Sequence, residues 1–170
     1  MEYMKKQFKK RSLIIGGVIL VVIVAAIITS IALSRQNQVR TEADAPTPGY
    51  QTLLPSNTSI KQLGGWKRVS PEANAPVYAY VDTIDGVAIS VSEQPIPDSF
   101  KPDVESHVAN LAKSDSATNI VKSNDLTLYI GLSSKGPQSV YFTKNDLLIL
   151  IKSEKQIKNE AWSTYASSLQ

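Results

Sequence analysis

Residues 13–33 place the strongest constraint on how this chain can fold. These 21 residues carry no charge, and Thr29 and Ser30 are their only polar side chains. A helix of that length spans roughly 31 Å, close to the thickness of a bilayer core. Val and Ile dominate the run and would weaken a helix in water. In lipid, every backbone group must be satisfied within the segment, and this requirement overrides propensity. The run predicts a transmembrane helix over 13–33, since a buried core helix is usually shorter.

The flanks predict its direction. Lys5, Lys6, Lys9, Lys10 and Arg11 precede the run, opposed only by Glu2. Arg35 and Arg40 follow it, with Glu42 and Asp44 close behind. The positive-inside rule puts residues 1–12 in the cytoplasm and the C-terminal part outside the plasma membrane. Ser30-Ile31-Ala32 has the small-residue spacing of a signal-peptide cleavage site, but the apolar run exceeds the usual h-region. An uncleaved signal anchor is therefore expected. Small residues four apart, such as Ser12/Gly16 and Ala25/Thr29, allow close helix packing and are also common in any membrane helix.

The whole chain has a net charge of +3. Residues 1–12 supply +4 of it, and the chain from Ser34 onward sums to −1. The folded part is nearly neutral, so a nucleic-acid-binding domain loses most of its support. There are no cysteines and one histidine. Disulfides, thiolate chemistry and thiolate metal sites are excluded, and His-based catalysis has little material. No cofactor is expected, and no catalytic, cofactor-binding or metal-ligating residue is assigned.

Residues 34–62 read as a polar, irregular tether with Pro46, Pro48 and Pro55. Leu53-Leu54 is the first candidate contact with the domain. Asn57-Thr58-Ser59 matches a glycosylation sequon, a triplet common by chance.

Residues 63–170 read as one domain, long enough to bury its own core. Strands are expected at 66–69, 77–84 and 87–92, the last two joined by the type I′ pair Asp85-Gly86. Val104, Val108, Leu111 and Ala112 recur at helical spacing over 99–113, with Pro102 in the first turn. A short extended piece is conceivable at 119–122. Strands follow at 126–132, 139–143 and 147–152, with turns at 134–137 and 144–146. The unbroken apolar run of the last strand predicts a central position with both faces covered. A final helix is expected over 156–169, its stripe formed by Ile157, Ala161, Tyr165 and Leu169, with Trp162 beside it. The result is an α+β fold: an antiparallel sheet of about five to six strands, with two helices packed on one face. Leu150→Asp is expected to unfold it by burying an unpaired charge.

Candidate sites are few. His107 lies on the flank of the first helix stripe, where a half-exposed boundary role is expected. The segment 133–137 lacks the phosphate-loop pattern and reads as a hairpin turn. Asp82, Asp85, Asp98, Asp103 and Glu105 form no calcium-loop pattern and suit turns and helix starts. Tyr78 and Tyr80 share a strand face, and Tyr129 and Tyr141 join them if their strands are neighbours. Such a surface can bind peptide or glycan, or can equally be the core beneath a helix.

The stretch QSVYFTKNDLLILI at 138–151, with the closing AWSTYASSL, resembles the uncharacterised small extracytoplasmic domains of bacterial single-pass membrane proteins. The resemblance covers about residues 63–170 and carries over no residue roles. With the anchor, it implies a membrane-anchored, non-enzymatic binding or scaffold module of the cell envelope. Its expected partners are the bilayer, through residues 13–33, and an envelope protein or polymer. The alternatives are an enzyme that uses carboxylates on envelope polymers, and the ectodomain of a sensor complex.

Overall fold

The computed structural model describes residues 46–132 and 136–170. The basic tail with Lys5, Lys6, Lys9, Lys10 and Arg11, the apolar run 13–33 and the first part of the predicted tether lie outside the described residues. No helix among the described residues is long and apolar enough to cross a membrane.

Turn chemistry sets the strand order. Strand β1 (Lys67–Arg68) pairs with β2 (Tyr78–Ile84), and β2 turns into β3 (Val87–Pro95). At that turn Asp85 and Gly86 have φ of 50° and 77°, the left-handed pair a type I′ hairpin needs. After a 3₁₀ turn (Asp98–Phe100) comes helix α1 (Val104–Ser114). Asp103 caps α1 by accepting the Ser106 amide at 3.2 Å, so Pro102 sits before the cap rather than inside the first turn. Strands β4 (Asn119–Ser123), β5 (Leu126–Leu132), β6 (Gln138–Lys144) and β7 (Leu147–Ser153) then run as an antiparallel meander, and α2 (Asn159–Ser168) closes the chain. Asn145 and Asp146, both left-handed at φ 49° and 61°, turn β6 into β7.

Among the described residues the sheet has seven strands, all antiparallel, in the order β1-β2-β3-β7-β6-β5-β4. The expected five or six become seven because the short extended piece at 119–122 is a true edge strand. The fold is α+β, with β7 at its centre, as its apolar run predicts.

The placement of the helices corrects one expectation. They lie on opposite faces of the sheet, not on one. Directly paired residues share a face, so the register sorts the side chains. Phe142, Ile149 and Glu93 form part of one row, and Tyr129, Tyr141 and Leu150 part of the other. Trp162, Tyr165 and Ala166 of α2 pack with Ile149, Ile151, Val140 and Phe142. Val108 and Ala112 of α1 pack with Tyr129, Tyr141 and Leu148. The cause is connectivity. Helix α1 must carry the chain from β3 past three strands to the far edge at β4, and it covers one face on the way. The face left open is filled by α2. Ile157 and Leu169, predicted inside the last helix, lie just beyond its two ends and are buried there.

The predicted domain boundary at residue 63 also moves. Leu53 is 1% exposed and belongs to the main core. Leu54 exchanges backbone hydrogen bonds of 3.0 and 2.9 Å with Gln170, and the Ser56 amide donates to the Ser168 carbonyl at 3.0 Å. Pro55 bridges to Leu169. Residues 50–62 are thus part of the domain. Pairing between the incoming segment and the chain's own C-terminus leaves no periodic signal in a polar stretch.

Candidate functional site

The end of the sheet where β3 finishes gathers the unusual chemistry. Strand β3 runs three residues beyond its expected end at Ser92, and Glu93, Gln94 and Pro95 pair with Ile149, Leu148 and Leu147 of β7. The extension places Glu93 in phase with Val87, Ile89 and Val91, on the face under α2. It also lies directly opposite Tyr78 of β2. Glu93 is 0% exposed.

Residues 50–53 close over this carboxyl. The Leu53 amide donates to Glu93 Oε2 at 3.0 Å, and the Tyr50 hydroxyl donates to the Glu93 main-chain carbonyl at 2.5 Å. Glu93 Oε1 is buried with no hydrogen-bond partner among the described residues. Burial pushes the carboxyl up to about 7, against the opposing pull of the Leu53 amide. Burial likewise pushes the Tyr50 hydroxyl up to about 12. Around them the Tyr78 ring lies 6.0 Å from Tyr50 and 6.5 Å from Trp66, and Trp66 stands edge-on to Tyr80 at 5.2 Å. One strand turn further along β2, Asp82 accepts the Tyr165 hydroxyl of α2 at 3.0 Å.

The four tyrosines singled out from the sequence divide into two separate pairs. Tyr78 and Tyr80 do share a face, buried beneath Trp66, Tyr50 and α2. Tyr129 and Tyr141 are direct cross-strand partners on the opposite face, buried beneath α1. Strands β3 and β7 separate β2 from β6, so the two pairs form no common surface. The Tyr141 hydroxyl donates to Asp115 at the end of α1, and burial together with that carboxylate raises the tyrosine's pKa.

The other candidates take local roles. His107 is exposed and stacks on Phe100 at 5.2 Å. Asp85 occupies its hairpin turn, Asp98 pairs with Lys101 at 3.0 Å, and Asp103 caps α1, with Glu105 in the first turn. Residues 133–135 lie outside the described residues. Among the described residues, no cluster of three His, Asp or Glu side chains is placed to hold a metal.

A cleft of about 540 Å³ opens at the same end of the sheet. Its floor includes Ile96, Val104 and Leu126, and its rim carries the turns Asn124-Asp125 and Asn145-Asp146. Lys144, also on the rim, donates at 3.0 Å to the carbonyls of Ala166 and Ser167, closing the C-terminus of α2. The cleft is shallow and open to solvent rather than enclosing.

No family model, no curated protein and no solved structure matches this chain. The site is therefore read from its own geometry: a buried carboxyl held by the incoming segment and, separately at the same end of the sheet, an open cleft with an apolar floor and two carboxylates on its rim.

Glu93 was legible in part. Its alternation with Val87, Ile89 and Val91 extends the apolar stripe by one position. Pro95 and Pro97 masked the signal, because proline usually ends a strand; here Pro95 is the last paired residue.

Proposed function

We propose that the protein is a membrane-anchored extracytoplasmic binding module of a bacterial cell envelope. The observation that carries this reading is the uncharged run 13–33, with five basic residues ahead of it and one folded α+β domain behind it. Residues 1–12 lie in the cytoplasm, residues 13–33 span the plasma membrane as an uncleaved anchor, and the domain meets an envelope protein or polymer outside. Its role is non-enzymatic and needs no cofactor or nucleic acid. The cleft at the β3 end supports the reading, since it offers an apolar floor and polar rim to a partner's side chain or short segment.

The test uses the full chain in its native membrane. Cell fractionation should return the intact chain with the membrane, and a soluble, shortened form would overturn the anchor. A photo-crosslinking residue at Asn145, on the cleft rim, should capture one reproducible envelope partner. The same residue at Asp85 should not, because that turn lies at the other end of the strands. Equal capture from both positions, or none from Asn145, would count against the cleft. Exchange of the membrane span for an unrelated one separates anchoring from sensing: a binding module keeps its partner, whereas a sensor loses its output.

A further inference from the structure

The turn between β4 and β5 decides which way the backbone of β4 points. Its two-residue loop, Asn124-Asp125, makes Ser123 and Leu126 a hydrogen-bonded pair. Bonded and non-bonded pairs alternate from there. Asn119, Val121 and Ser123 therefore spend their main-chain groups on β5, and Ile120 and Lys122 turn theirs outward. Among the described residues no strand lies beyond β4, and no turn or loop hydrogen bond reaches these outward groups. Ile120 is also 56% exposed, an unusual place for a large apolar side chain. The opposite edge is blunted: β1 has two residues, and on β2 the Asp82 carboxylate takes the Thr83 amide at 2.7 Å.

We propose that β4 pairs antiparallel with β4 of a second copy of this chain, centred on Val121, joining two seven-stranded sheets into one.

The strand is complementary to itself in that register. Centring on Val121 matches all five residues of β4. Each Ile120 then faces Lys122 of the other copy, and every outward N–H and C=O of the two strands finds a partner. The Lys122 stem lies across Ile120 and leaves its ammonium in water. Val121 meets its own copy on the face where it already packs against the main core. A register centred on Lys122 would set two ammonium groups against each other and run Ile120 into the turn at Asn124. One centred on Ile120 leaves Lys122 and Ser123 beyond the end of the other strand.

The side on which the chain enters argues for a second copy rather than another protein. The two-fold axis of such a pairing runs along the sheet normal, so each face of one copy continues as the same face of the other. Residues 50–53 reach the sheet on the α2 face. Both incoming segments therefore lie on one side of the joined sheet, and one membrane can hold both chains. This step rests on the anchor proposed above for residues 13–33. Five residues are far fewer than the roughly 20–30 per side of a standard interface. Confinement of both copies to one membrane supplies the effective concentration that so small a contact needs.

The chain has no cysteines, so introduced ones report the pairing in the full chain in its native membrane. Val121 faces itself as a non-hydrogen-bonded pair, with about 4.5 Å between Cα atoms, a span that a disulfide bridges. After mild oxidation with copper phenanthroline, Val121→Cys should give a disulfide-linked homodimer. Lys67→Cys, exposed on the β1 edge, should not. Cells carrying Asn119→Cys and Ser123→Cys chains together should give the mixed dimer, and each variant alone should give little, because 119 faces 123 of the other copy. If Val121→Cys does not fold, the mixed dimer decides. Ile120→Lys, at an exposed position, sets ammonium groups against each other and should abolish the Val121→Cys dimer. No dimer, an equal yield from Lys67→Cys, or self-pairing of Asn119→Cys and Ser123→Cys overturns the proposal. So does capture of a different protein at Val121→Cys, which would make β4 the acceptor of a foreign strand. Fractionation of the same cells reads the anchor separately: membrane-bound chain without the dimer overturns the pairing and leaves the anchor, and a dimer of soluble chain does the reverse.

Discussion

The Gln138 side chain accepts two buried donors through one oxygen: the Trp162 indole N–H at 3.0 Å and the Ile157 amide at 2.6 Å. Gln138 is the first residue of β6, and both donors belong to the stretch that leads into and forms α2. A single amide oxygen thus fixes the angle at which the last helix meets the sheet. Removal of the acceptor leaves two donors dry beneath Trp162, which is 1% exposed. Gln138→Ala is expected to cost about 2–4 kcal/mol, the penalty for orphaned buried donors plus a small void. Urea unfolding of the full chain in detergent, followed by tryptophan fluorescence, checks it. A loss within about 0.5 kcal/mol, the range of neutral surface changes, would show that the oxygen does not position α2.

Acid should stabilise the fold near neutrality. The Glu93 carboxyl is lifted by burial to about 7 from 4.5. A carboxyl whose native pKa is raised binds more protons folded than unfolded, so stability falls as pH rises across that interval and levels off above it. The change is on the order of 3 kcal/mol if the whole fold responds as one unit. Denaturant midpoints measured from pH 4 to pH 8 should show the decline, and Glu93→Gln should flatten it.

The two faces of β7 are unequally sealed. Ile149 and Ile151 are 0% exposed under α2, whereas Leu150 on the opposite face is half-buried beside α1. Ile149→Ala is expected to cost about 2–5 kcal/mol, as for a fully enclosed aliphatic side chain. Leu150→Ala should cost clearly less. The same geometry bears on Leu150→Asp: a charge there would be only half-buried, whereas Ile149→Asp buries one completely. Paired melting curves of the two alanine variants test the order.

Gly131 marks a close approach. A Cβ there would sit 3.0 Å from the Ala117 Cα and 3.2 Å from its nitrogen, both backbone atoms in the link between α1 and β4. Gly131→Ala must push that link away from β5, at a cost of about 1–3 kcal/mol. A lowered Tm is expected, and Ala117→Gly should not rescue it, since the clash is with main-chain atoms.

The local pattern carried much of the fold. Period-2 alternation located β5 over the expected residues. Asp85-Gly86 and Asn145-Asp146 revealed their hairpins because only a few residue types accept a left-handed backbone. The stripe of Val108 and Ala112 disclosed the buried side of α1. The candidate site was less legible. Tyr78 and Tyr80 were recognisable as one face, but nothing in their spacing tells that face from the one bearing Tyr129 and Tyr141. Glu93 lay hidden behind Pro95. The placement of this segment depends on Glu93, 40 residues from Leu53, and on Gln170 and Ser168, more than 110 residues from Leu54 and Ser56.

The sequence by itself determined an uncharged run long enough to cross a bilayer, the charge asymmetry around it, and an α+β domain with its hairpins. Each is a local property, because backbone sterics, side-chain period and transfer into lipid act over a few neighbouring residues. Only the tertiary structure decided which helix covers which face, that residues 50–62 join the domain, and that Glu93 is sealed from water. These depend on the path of the crossover from β3 to β4 and on pairing between distant segments. Burial, and with it the proton affinity of a carboxyl, is a property of everything packed around a residue rather than of its place in the chain.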